Sequence, residues 1–299
     1  MARTVSAAIG LLLTLSATAA PQTTPSLDEV VARLADYMRA YAQDYAATIA
    51  AEHYAQFAGR RTTILDSEFG IVRLPGNGVL WLGLRDVVRV DGKPVPDRET
   101  RLADVFGTAS STKGFSASVS RLASSIVAET ARYNIGSVQR TINNPALVLE
   151  LLDPRHYPAF RFSKAGEGSV RGIRAWRVAF VERGRPTVIS TTSDGDLPST
   201  GEIWVEPSSG RLLRADVAIQ FTALGGGGGR IIRGLVSLTF KYVPEVELWL
   251  PDKMTERYDV AFGRPLQNGE ATYTNYRRFR VESEETIDAR SLPPLSSIK

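Results

Sequence analysis

Residues 201–214, GEIWVEPSSGRLLR, hold two short apolar runs on either side of a Pro207-Ser208-Ser209-Gly210 turn. Such a pattern reads as a β-hairpin. The sequence around it repeats the theme. Ala159 to Ser163, Arg174 to Glu182, Thr187 to Thr191, Gly201 to Glu206, Leu212 to Phe221, Ile231 to Tyr242, Lys253 to Phe262 and Ala271 to Val281 are successive strand candidates. Lys164 to Gly168, Gly184 to Pro186, Ser193 to Pro198 and Gly225 to Gly229 separate them with turn-forming residues. Five glycines in a row suggest a phosphate loop, but a strand candidate, Arg230-Ile231-Ile232-Arg233, follows where that loop needs a helix. A hairpin tip is the expectation there.

The N-terminal half mixes elements. Ser26-Leu27-Asp28-Glu29 is a capping box, in which a serine hydroxyl and a glutamate reciprocally satisfy the first free amides of a helix. Leu27, Val30, Val31, Leu34, Met38, Tyr41 and Tyr45 recur at helical spacing, and alanine-rich sequence continues to Ala58, so one long helix is expected over 26–58. Strands follow over 61–96, with turns at Pro75 to Gly78 and Asp91-Gly92, and helices over 97–152. The expected architecture is α+β: a strongly curved antiparallel sheet with helices packed on one side.

The first nineteen residues carry Arg3, an apolar run from Val5 to Leu15 and Ala17-Thr18-Ala19. That order is expected of a cleaved export signal, and the expected location is a bacterial periplasm. The following 20–283 read as one domain and 284–299 as a disordered tail. No cysteine occurs among 299 residues, which excludes disulfides, thiol catalysis and cysteine-ligated metals. A net charge of +4 permits attraction to anionic surfaces, but the arginines are scattered among acids and export argues against nucleic acid.

Catalytic motifs are sparse. His53 and His156 stand alone, without partners at metal-ligand spacing, so no metal or other cofactor is expected. No G-x-S-x-G occurs. Ser110-Ser111-Thr112-Lys113 fits S-x-x-K, yet its partner motifs are missing and Gly114 follows at once. A secreted serine hydrolase using Ser110 and Lys113 is therefore the weakest of three alternatives. Aromatic residues, by contrast, fall on nearly every strand of the second half. Trp176 and Phe180 share one face of their strand, while Ala175 and Ala179 lie on the other. Both faces carry apolar groups, which leaves closure of the sheet, a partner, an apolar ligand, or a sandwich whose inner face is simply core.

Three stretches carry a resemblance: IWVEPSSGRLLRADV (203–217), LTFKYVPEVELWLPDKMTERY (238–258) and GEATYTNYRRFRV (269–281). Their strand pattern, with Trp204, Arg214, Trp249, Pro251, Met254 and Tyr276 at matching places, resembles the LolA-like outer-membrane lipoprotein-sorting proteins over residues 159–282. The resemblance implies an incomplete β-barrel lidded by helices, around an apolar cavity that takes acyl chains. Trp176, Phe180, Trp204, Phe240, Tyr242, Trp249, Tyr258 and Tyr276 would line it. The function it implies is a periplasmic carrier or sensor of lipid or lipoprotein acyl chains, without covalent chemistry. The alternative is a module binding an envelope protein.

Overall fold

The computed structural model describes residues 24–278 except 46–47, 74–80, most of 97–142, 192–194, 226–227 and 261–264. Within 97–142 it describes 102, 125, 126, 128 and 131–138. The expected signal (1–19), the tail (284–299), and Ser110 and Lys113 lie outside the described residues.

Helix α1 (Leu27–Tyr45) starts at the capping box. The Glu29 backbone N–H donates to Ser26 Oγ at 3.2 Å, and the Ser26 N–H donates to Glu29 Oε2 at 2.7 Å. Val30, Leu34, Met38, Tyr41, Ala42 and Tyr45 form its buried stripe. The helix stops at Tyr45, whose carbonyl accepts from the Thr48 hydroxyl at 2.9 Å.

The expected helix over 26–58 is thus half helix and half strand. β1 (Thr48–Ala58) alternates: Ala50, Glu52, Tyr54 and Gln56 are buried, Ala51 and Ala55 are half-buried, and His53 and Phe57 are exposed. Alanine favours a helix locally, but this segment pairs along its whole length with β2 (Arg61–Arg73) on one side and β13 (Pro265–Arg278) on the other. Two full ladders outweigh a local propensity worth a few tenths of a kcal/mol per residue.

β3 (Trp81–Val90) and the short β4 (Lys93–Pro94) follow. Then come α2 (Ala146–Leu151) and a 3₁₀ turn (Pro154–Ala159). Next are β5 (Phe160–Val170), β6 (Ile173–Glu182), the two-residue β7 and β8 (Ser190–Thr191, Gly195–Asp196) and β9 (Ser199–Val205). The long strands β10 (Leu212–Gly225), β11 (Gly228–Val243) and β12 (Leu248–Val260) precede β13. The opening hairpin is β9–β10, and β10 pairs with β11 as far as Gly225 opposite Gly228 in the glycine run.

Eleven strands form one open antiparallel sheet in the order β4-β3-β2-β1-β13-β12-β11-β10-β9-β6-β5, while β7 and β8 pair separately. This is the expected curved sheet with helices on one side. On the helix-covered face the side chains interlock. Tyr41 meets Phe240 edge-on at 6.5 Å, Phe69 meets Tyr273 at 5.4 Å, and Phe160 meets Phe180 at 5.7 Å. One continuous buried cluster runs from α1 through α2 to the inner positions of β1, β2, β6 and β9 to β13. The hairpin turn at Gly210 presses on α1, where Arg33 Nη1 donates to the Pro207 carbonyl at 2.7 Å. α2 is fixed to β3 by Glu150, whose Oε2 accepts from the Trp81 N–H at 2.9 Å. No helix among the described residues is long and apolar enough to cross a membrane.

Candidate functional site

Strand alternation gives every inner side chain two outer neighbours. On the outer face, a cavity of about 840 Å³ follows one register row across seven strands. Directly paired inner residues, Phe180, Gly201, Val217, Val236, Glu256, Gly269 and Gln56, define that row from β6 to β1. At about 4.8 Å per strand its path is roughly 29 Å long. The shape is a groove laid across the strands.

Two rows of outward side chains flank the groove. On one side the pairing sets Val181, Thr200, Ala218, Leu235, Arg257, Asn268 and Phe57 in line. On the other stand Ala179, Glu202, Asp216, Ser237, Thr255 and Glu270. The first flank is largely apolar or neutral, and the second is acidic and hydroxylic.

A basic row lies beyond the acidic one and neutralises it. Arg177 makes two bonds to Glu202, at 2.7 and 3.0 Å, which hold its guanidinium above its ordinary pKa. Arg214 grips Asp216 through two bonds at 3.0 and 2.9 Å, and Ser237 Oγ donates to the same carboxylate at 2.5 Å. Lys253 meets Glu270 at 2.7 Å. Trp204 lies in this row, with Arg214 4.6 Å and Arg177 6.0 Å from its ring. On the apolar side Arg257 pairs with Asp259 at 2.8 Å. Arg233 lines the groove without an ion-pair partner among the described residues.

Behind the groove, on the inner face, is a buried polar network. Glu256, 2% exposed, accepts hydrogen bonds from Tyr54 Oη and, at 2.9 Å, from Tyr258 Oη. Asn143 Nδ2 donates to Tyr54 Oη at 3.0 Å. Arg85 donates to both Glu52 oxygens, at 2.5 and 2.8 Å, and to the Asn143 carbonyl at 2.8 Å. Its guanidinium lies 4.5 Å from the Tyr54 ring centre. Burial is the largest single influence and works to lower the Arg85 pKa, but the charge and hydrogen bonds of Glu52, together with Tyr273 and Tyr54, outweigh it and the net shift is upward. Gln56 Nε2 donates to the Tyr133 carbonyl at 2.9 Å, and Gln267 Nε2 to the Val138 carbonyl at 3.1 Å. The network ties Tyr133, Val138 and Asn143 to the sheet.

The eight aromatic side chains expected to line one cavity are spread over three settings. Trp176, Phe180, Phe240 and Tyr276 are buried in the main core, and Tyr258 in a smaller cluster with Val138 and Ile232. Trp204 and Trp249 are half-buried, each with an arginine over its ring. Tyr242 is 48% exposed. Among the eight, Phe180 borders the groove from beneath, and Tyr242 and Tyr276 border a smaller cavity of about 360 Å³. Tyr276 reaches the core because a bulge at Asn275, with φ of 51°, shifts the alternation of β13, and its hydroxyl donates to the Pro251 carbonyl at 2.7 Å.

The histidines are engaged separately, His53 with Asp66 at 2.8 Å and His156 with Glu150 at 3.2 Å. Among the described residues no cluster of three or more histidines and carboxylates could hold a metal ion.

No family model matches the chain, and no curated protein matches it. Solved structures do. A domain provisionally assigned to outer membrane lipoprotein sorting, from Vibrio parahaemolyticus, is similar at 10% identity with a TM-score of 0.42, over 84% of this chain and 93% of that one. A DUF1329 family protein from Desulfovibrio piger is similar at 11% identity with a TM-score of 0.43, over 89% and 99% of the two chains. The Pseudomonas aeruginosa MucA/MucB complex contains a chain similar at 10% identity with a TM-score of 0.23, over 83% and 99%. At such scores no activity is carried across.

Proposed function

We propose that the protein is an exported, non-catalytic binding module that holds an elongated lipid-like molecule along the outer-face groove. One observation carries this reading: the groove follows a single register row and opposes an apolar flank to a flank whose acids are ion-paired. An acyl chain laid against Val181, Ala218 and Leu235 removes its own apolar surface and theirs from water. Such burial contributes about 0.8 kcal/mol per CH₂. The acidic flank, already neutralised, asks for no counter-charge. The export-like stretch at residues 1–19 motivates the envelope location.

The test is displacement of a fluorescent fatty-acyl probe by dodecanoate, with native mass spectrometry of the protein as purified. Binding by the wild type and a tenfold or greater loss in Leu235→Glu is the expected result. Equal affinity in the two proteins removes the groove from the account.

Phe57, 41% exposed at the β1 end, favours a second reading in which a protein segment occupies the groove. That reading predicts no lipid in the native mass spectrum and an envelope protein whose capture is lost in Phe57→Ser.

A further inference from the structure

The groove's charges are not symmetric. Glu202, Asp216 and Glu270 each have a cation, and Arg257 has Asp259. Arg233 is exposed, lines the groove, and has no such partner among the described residues. Its directly paired neighbour on β12 is Asp259, which is already engaged by Arg257. Its neighbour on β10 is Gln220, a neutral amide. Two residues along β11 is Leu235 of the apolar flank, and two the other way is Ile231, 55% exposed. One uncompensated guanidinium therefore stands between apolar side chains, beside a groove whose other charges are satisfied.

We infer that the ligand is a single-chain amphiphile with a carboxylate head, that Arg233 receives the head, and that the chain runs from there past Leu235, Ala218 and Thr200 towards Val181. This rests on the groove reading above and adds its chemistry and polarity. A guanidinium presents a planar fork of donors that matches a carboxylate two bonds at a time. The Gln220 amide, in register beside it, supplies a further donor within reach of the same head. A hydroxyl head on the same chain forfeits the charge. Hydrogen bonds to charged groups translate into roughly tenfold or more in affinity.

The experiment compares dodecanoate with dodecan-1-ol, of equal chain length, on the full chain at neutral pH and low salt, in wild type, Arg233→Gln, Arg233→Lys and Leu235→Glu. The expected wild-type preference for dodecanoate is about tenfold or more. In Arg233→Gln it falls to near unity with dodecanol affinity unchanged, and in Arg233→Lys part of it remains. Leu235→Glu weakens both ligands. Equal wild-type binding of the two ligands, or a preference that survives Arg233→Gln, overturns the head-group assignment and leaves the groove reading standing. Binding of neither ligand, or binding insensitive to Leu235→Glu, overturns both.

Discussion

The Phe180 ring lies across Gly201, its directly paired neighbour on the next strand. A Cβ added to Gly201 would stand 2.5 Å from the ring's Cζ and collide with the Asp216 carbonyl oxygen, which is backbone and cannot turn aside. Gly201 is also one of the residues bordering the groove. Gly201→Ala is expected to destabilise the protein by about 1–3 kcal/mol, as over-packing does, and to weaken dodecanoate binding. Urea unfolding and the probe assay measure the two effects, and an unchanged midpoint contradicts the first.

Gly210 makes a comparable approach to the helix. Its φ is +73°, and a Cβ there would stand 2.5 Å from the Leu34 amide nitrogen and nearer still to the Arg33 carbonyl. Gly210→Ala should lift α1 from the hairpin turn and lower stability by about 1–3 kcal/mol. Hydrogen exchange would show the α1 amides losing protection before those of β10 to β12. Uniform protection in the variant counts against this docking contact.

The buried pair Arg85–Glu52, with side chains 3% and 0% exposed, gives a double-mutant test. Arg85→Met leaves a buried carboxylate unpaired and is expected to cost about 3–5 kcal/mol. Adding Glu52→Gln should recover part of that loss. Purely additive single losses would mean that the two groups do not act as a pair.

Alkaline titration tests the core. Burial raises the pKa values of Tyr37, Tyr41, Tyr45, Tyr157, Tyr273 and Tyr276 above the ordinary value of 10.0. A raised folded-state value means that the stability these groups contribute is fully present below pH 10 and is lost as the pH rises beyond it, because the unfolded chain ionises first. These six should stay protonated until the protein unfolds. A large part of the tyrosinate absorbance should therefore appear together with the loss of circular dichroism. A single stage ahead of unfolding contradicts the packing described.

The capping box, the β9–β10 hairpin and the strand run from 159 onward were legible because each is a local signal: a side chain reaching three residues, a turn, a change of period. β1 was not, and Glu52 and Gln56 explain why. They occupy inward positions that a hydrophobic pattern should fill, and they do so because Arg85 and the Tyr133 carbonyl, far along the chain, satisfy them. Without those partners in view, the alternation dissolves into a helix-like alanine background. The groove was hidden for a related reason. That Leu235 and Arg233 point outward is readable from their strand alone. That Leu235 sits beside Ala218 and Arg257, and Val181 beside Thr200, depends on registers that no single strand encodes. The aromatic residues drew attention to the opposite face, where most of them serve packing.

The seam between β1 and β13 has a consequence for assembly. Tyr54 sits opposite Ala271, so the first long strand acquires its second partner only from the last. During synthesis that edge must wait, with its amides and carbonyls unanswered, while nearly the whole polypeptide is made. Closure between such distant stretches is slow. A nascent or shortened chain would expose the borders of β1 and β12 that β13 covers in the finished sheet, and would invite zipping to a neighbour. Maturation therefore turns on the final strand arriving, and a helper that shields β1 in the interval would guard the most vulnerable moment in the molecule's history.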